Sequence, residues 1–189
     1  VTGPSAADLL AASSAARELL GRVPDFSAHV PRMDADVRRV VVHIASCLVW
    51  YAHDLAAGPE ESPGPTPQWP EGASADLVRE LGIAADVLAR VVATSGPHDR
   101  GWHPWGVADA AGFAAIGIAE VVLHTDDVAS ALGLDWSPPE GPVRAVLRRL
   151  FPEAPVDAHP WRALLWCTGR AELPARERVT GWRYAMAAR

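Results

Sequence analysis

Glu120 and His124 stand as E-x-x-x-H inside the apolar run A-A-I-G-I-A-E-V-V-L-H. Four residues along a helix amount to about 40° of rotation and about 6 Å of rise, so both side chains leave one face. His43 interrupts a second apolar run, V-V-V-H-I-A, between Val42 and Ile44. A carboxylate buried among such residues is costly unless it is paired or metal-bound. Two imidazoles and one carboxylate on facing helices can share a divalent cation and leave one coordination position open, the pattern of catalytic zinc sites. Spacing alone leaves plainer readings standing. E-x-x-x-H is common, a lone His in an apolar helix is more often a core residue bonded to a carbonyl, and the trio can be satisfied by hydrogen bonds without metal.

Other polar residues fall near these three. Asp127 lies seven positions beyond Glu120 and shares its face, where it can orient an imidazole, act as a base or bond an Arg. Cys47 follows His43 by four, as a further ligand, a redox-sensitive neighbour or a small buried apolar residue. His103 and Trp105, in H-P-W-G, can wall a substrate pocket, or the loop can simply be anchored by tryptophans. His53 and Asp54 are assigned to solvent or to packing against a loop, and His29, His98 and His159 carry no usable signal. No phosphate-binding glycine loop, C-x-x-C pair or nucleophile elbow is present.

The elements that must position these residues read as helices. Ser5 with Asp8 starts the first, Leu9, Leu10, Ala16, Leu19, Leu20 and Val23 line it, and Pro24 stops it. The second begins near Asp34 or Asp36, carries a stripe of Val37, Val41, Ile44, Leu48, Tyr51 and Leu55, and ends at Gly58 and Pro59. Pro59, Pro63, Pro65, Pro67, Pro70 and Trp69 then mark a long connection through residues 58–73. Ser74 is expected to cap a third helix lined by Leu77, Leu81, Ala84, Leu88 and Val91. After an irregular stretch from Ser95 to Ala108, Asp109 starts a fourth that runs to Leu132 and stops at Gly133. Its apolar residues cover nearly every face, so it is expected to be buried, with Gly112 and Gly117 marking close neighbours. Two shorter helices, 140–151 and 159–168, precede a tail with the one possible strand signal. The prediction is an all-α fold of four long helices with a short, mainly helical C-terminal extension: residues 1–152 form the bundle and 153–189 pack on it.

The 189 residues carry a formal net charge of −6 and two cysteines, and all 17 basic residues are Arg. That balance argues against nucleic acid as a partner, the Arg144, Arg148 and Arg149 group reading as one solvated helix face. No membrane span or signal-peptide layout is expected, nor a disulfide framework, so a cytoplasmic location follows. Monomer and homodimer are left open.

The segment R-R-V-V-V-H-I-A (Arg38 to Ala45), followed by Trp50, resembles the second helix of the mycothiol-dependent maleylpyruvate isomerase N-terminal domain family, within the DinB-like metal-binding four-helix bundles. The segment A-E-V-V-L-H-T-D-D-V-A (Ala119 to Ala129) is similar to the family's fourth helix. L-L-W-C-T-G-R (Leu164 to Arg170), with Trp182, is similar to the C-terminal portion of actinobacterial members. The resemblance implies a divalent metal, usually zinc with nickel or manganese as alternatives, held by His43, Glu120 and His124. It implies a long crossover between the second and third helices, and mycothiol as co-substrate with its thiolate stabilised at the metal. Two departures stand out. Met33, Asp34, Ala35 and Asp36 occupy the place of the Trp usual before the second helix, and the residues after 152 are too few for the isomerase's larger C-terminal domain. The expected chemistry is therefore a thiol-dependent transferase or isomerase acting on a small electrophile. The alternative is a non-catalytic metal- or ligand-binding bundle.

Overall fold

Ser5 opens the first helix as its spacing predicts: its hydroxyl accepts from the Asp8 amide at 3.2 Å while Asp8 accepts from the Ser5 amide at 3.0 Å. The computed structural model describes residues 3–69 and 73–187, so Pro70 lies outside the described residues. Helix α1 (Ala6–Leu20) ends at Gly21, before Pro24 is reached. A two-residue hairpin follows, β1 (His29–Val30) with β2 (Ala35–Asp36), joined by the 3-10 turn Pro31–Met33. Helix α2 (Val37–Ala57) is capped by Asp36, which accepts from the Arg39 amide at 2.8 Å. Helix α3 (Ser74–Thr94) follows the proline-rich connection, and α4 (Ala110–Leu132) is capped by Asp109 and closed by Gly133 in the left-handed region. The short helices are α5 (Glu140–Leu150) and α6 (Pro160–Cys167). With 56% helix and 3% strand, the fold is all-α.

Helices α1 and α2 lie diagonally, each packed against both α3 and α4, while α5 packs on α4 and α6 on α5. The stripe Val37, Val41, Ile44, Leu48, Tyr51 and Leu55 is buried along its whole length. Helix α4 is enclosed on all sides because it meets α1, α2, α3 and α5. Gly117 permits that crowding: a Cβ there would stand 2.7 Å from Leu88 Cδ2 and 3.2 Å from Leu48 Cδ2. Among the described helices, α2 is long and apolar enough by length and composition to cross a membrane, a property that the sequence reading did not anticipate. Its buried face is the one that meets α3 and α4.

Several expectations are corrected. Ser74 makes no capping bond; Ala73 is the capping residue and Ser74 opens the helix. Leu10 is exposed, because the packed face of α1 is Leu9, Ala12, Ala16, Leu19 and Leu20. Arg149 is buried, not solvated: it donates to Asp109 Oδ1 at 3.1 Å and to the Ala185 and Met186 carbonyls at 2.7 and 2.8 Å. The tail forms no strand in its described part. Tyr184 and Met186 are instead buried, and the Ala185 amide bonds the Leu150 carbonyl.

The irregular segment after α3 closes on itself at Gly101, whose amide and carbonyl pair with Ala108, and is tied to the end of α2 by the Trp102 amide, which bonds the Gly58 carbonyl at 3.0 Å. A Cβ at Gly101 would lie 2.7 Å from the Leu55 Cα and 2.6 Å from a Phe113 ring carbon, and a backbone atom cannot yield as a side-chain tip can. Gly101→Ala is therefore expected to destabilise the fold by about 1–3 kcal/mol, the usual range for overpacking. Urea unfolding at neutral pH measures it. An unchanged midpoint would contradict the close approach of this loop to α2.

Candidate metal centre

His43 comes from α2, and Glu120 and His124 from the facing α4. Their ligand-type atoms all lie within 4.8 Å of one another. Glu120 Oε2 stands 3.1 Å from His124 Nε2 and 3.4 Å from His43 Nε2, and the two imidazole rings meet edge to face with centroids 4.9 Å apart. That oxygen is buried with no well-aligned hydrogen bond, whereas Oε1 accepts from the Tyr51 hydroxyl at 3.1 Å. An orphaned carboxylate oxygen facing two imidazole nitrogens is a donor set suited to a divalent cation of the zinc type. His43, Cys47 and Tyr51 recur every four residues on α2, so one helical face delivers a ligand, a thiol and the hydroxyl that holds Glu120.

His124 is fixed from behind. Its Nδ1 lies 2.9 Å from Asp127 Oδ2. An ionised carboxylate only accepts, so Nδ1 carries the proton and Nε2 faces Glu120 and His43. The Asp127 side chain is fully buried and is gripped by Arg170, Nε to Oδ1 at 3.0 Å and Nη2 to Oδ2 at 2.8 Å. Arg32, from the hairpin turn, reaches Oδ1 at 3.1 Å. Of the roles open to Asp127, the structure carries two, imidazole orientation and the Arg pair. The Arg170, Arg32 and Tyr51 contributions were missed from sequence. Tyr51 has a signal in its eight-residue offset from His43, but it reads equally as core; Arg32 has none.

Exposure is uneven across the trio. The side chains of Glu120 and His124 are 12% and 13% exposed, and that of His43 is 44% exposed. A cavity of about 230 Å³ is walled by Cys47, Trp50, Tyr51, Asp54, Trp102 and His103, and of these Cys47 is the residue that meets His43. Cys47 is half-buried with Sγ 3.7 Å from His43 Nε2, a neighbour of the three-residue cluster and not one of its members. Asp54 is a buried cavity residue bonded to His53, so of the two settings expected, solvent or packing against a loop, it has the second. The H-P-W-G loop divides its roles: His103 faces the cavity, while Trp105 stacks edgewise on Tyr184 and Trp182. His29 lies in β1, apart from the site.

The electrostatics follow from these contacts. Burial opposes charge on Glu120, but the close imidazoles of His124 and His43 outweigh it and hold the carboxyl well below the usual carboxylate range. Burial likewise works against a charged His124, yet Asp127 and Glu120 prevail and push it up to about 9. Asp127 is held low: burial opposes this, and His124 and Arg170 overcome it. Burial, reinforced by Glu120, raises the Cys47 thiol far above its ordinary value, so it stays protonated. Burial lowers His103, whose Nδ1 accepts from the Trp105 amide at 3.1 Å, leaving a neutral ring with its proton on Nε2.

No protein-family model matches this chain, and no curated protein matches it.

A pH dependence of the metal-free protein follows. The folded-state value of His124, about 9, exceeds its ordinary 6.5, so its stabilising contribution is complete below 6.5 and is lost as pH rises through 9. Glu120 and Asp127 are depressed, so theirs is present above the ordinary values of 4.5 and 3.8 and is lost as pH falls below them. Stability of the metal-free chain is expected to peak between about pH 5 and 6.5 and to fall by about 3 kcal/mol towards pH 9. Urea titrations with chelator present measure this, and His124→Gln should flatten the alkaline limb. A wild-type curve that is level over that range would show that the two carboxylates do not hold His124 protonated.

Proposed function

We propose that this chain is a divalent-metal protein in which His43, Glu120 and His124 hold the ion, zinc first, with nickel or manganese as alternatives. The buried, unbonded Glu120 Oε2 between two imidazole nitrogens carries this reading. The activity proposed is thiol-dependent transfer or isomerisation on a small electrophile, with mycothiol as the co-substrate, in a DinB-like bundle working in the cytoplasm. The resemblance of the two ligand-bearing helices to the maleylpyruvate isomerase N-terminal domain supports it. When bound, the ion would supply a Lewis-acid charge that stabilises a thiolate at the open position.

The chain's own residues favour an anionic incoming group. Arg32 and Arg170 offset the carboxylates of Asp127 and Glu120, so the site has no surplus negative charge to meet a divalent ion's own. Tyr51 and Asp127 hold Glu120 and His124 in place, while half-exposed His43 contacts Cys47, which lines the cavity through which a thiol would arrive. Neutral His103, across that cavity, can donate through Nε2 to a bound electrophile's oxygen.

Elemental analysis of protein purified without chelators is expected to give close to one metal per chain. His43→Ala, His124→Ala and Glu120→Gln should each abolish uptake. A wild-type chain that cannot be loaded with zinc, nickel or manganese overturns the metal reading. Consumption of mycothiol with a panel of electrophiles, lost in the same variants, is the expected sign of catalysis. Metal uptake without turnover would favour a non-catalytic metal-binding bundle.

A further inference from the structure

The segment Thr168-Gly169-Arg170, at the end of α6, lies in the C-terminal extension, far along the chain from the proposed ligands. Its geometry is nonetheless directed at them. Gly169 adopts φ +67°, its amide bonds the Trp166 carbonyl at 3.0 Å, and the Arg170 amide bonds the Leu165 carbonyl at 2.7 Å. This is the Schellman arrangement, which ends a helix and reverses the chain through a left-handed residue. Thr168 Oγ1, buried, donates to the Leu164 carbonyl at 2.9 Å and ties the turn to α6. The reversal delivers Arg170 to Asp127 with its side chain 8% exposed, and the guanidinium takes both carboxylate oxygens. Asp127 in turn bonds the Nδ1 of His124.

We infer that the C-terminal extension is a working part of the metal centre: Arg170 is a positioning residue that fixes Asp127, and through it the ring of His124, for metal binding. This rests on the metal reading of His43, Glu120 and His124. A two-pronged Arg–carboxylate grip sets orientation as well as charge, and the partners that orient ligand imidazoles typically contribute 10–100-fold to metal affinity. Arg32 cannot replace it, because its single contact at Oδ1 leaves the oxygen bonded to His124 unheld. Gly169 is required for the same end. An alanine there would be strained at positive φ and would bring Cβ to 3.0 Å from the Val179 carbonyl oxygen, moving Arg170 without removing any polar group.

The test is the dissociation constant for Zn²⁺, by chelator competition on the full chain, with the visible spectrum of the Co²⁺-loaded protein as a reporter of ligand geometry. Arg170→Ala is expected to bind Zn²⁺ about 10–100-fold more weakly and to change the Co²⁺ bands. Arg170→Lys, which keeps the charge but loses the fork, should fall between it and wild type. Arg176→Ala, which removes the exposed Asp157 pair of the same extension, should bind as wild type. If Arg170→Ala does not fold, by circular dichroism, Arg170→Lys and Gly169→Ala decide the matter: both should bind more weakly than wild type. Wild-type affinity and spectrum in the folded Arg170 variants overturns this inference and leaves the metal reading intact. A wild-type chain that takes up neither ion overturns both.

Discussion

A carboxylate in the middle of the most apolar helix is the constraint from which the polar architecture follows. Glu120 lies in α4 among residues with almost no contact with water, where an unmatched charge is costly. Its match is His124, one turn along. A charged His124 needs its own partner and finds Asp127, and Asp127, fully buried, needs Arg170 and Arg32. The alternation of sign ends only at Arg32, whose side chain reaches water. Each step recruits a different part of the chain: α2 through His43 and Tyr51, the hairpin turn through Arg32, the extension through Arg170.

The apolar core, not this network, holds the helices together. Large side chains such as Phe113, Leu48, Leu81, Leu88 and Ile116 are fully buried, and each contributes about 1.5–3 kcal/mol relative to exposure. Buried ion pairs rarely add to that, since desolvation offsets most of the attraction and apolar residues of similar volume often do as well. A chain that places five charged or imidazole groups where aliphatic residues would pack has a local conflict of the kind that marks functional sites. The conflict is confined to one end of the α2–α4 contact. Elsewhere along the same helices, the buried Asp54 of α2 apart, sequence pattern and packing agree.

That division explains how much was legible beforehand. Helix caps at Ser5, Asp36 and Asp109, the stop at Gly133 and the stripe of α2 depend on neighbours within a few residues, so the sequence displays them directly. The trio was visible because polar residues interrupt apolar runs. Arg170 and Arg32 were not, because nothing local sets their destination: each meets Asp127 across a long stretch of chain, at the end of a turn. Arg149 misled for the same reason. On α5 it reads as one of three solvated arginines, yet Asp109 and the carbonyls of the tail enclose it. Asp54 reads from sequence as either solvated or packed against a loop, and only the placement of Trp102 and His103 beside it decides for the loop.

The support of the three residues is asymmetric. Glu120 and His124 are each held by a second protein group, Tyr51 and Asp127, and both are nearly enclosed. His43 meets Glu120, the His124 ring and the Cys47 sulfur, and none of these is a carboxylate or carbonyl bound to its outer nitrogen. Two members of the trio are thus orientationally fixed, and the third, His43, is the most exposed. The buried side keeps its geometry through Asp127 and Arg170. In the proposed metal centre, rigidity on the inner side and freedom on the outer would suit exchange of one ligand.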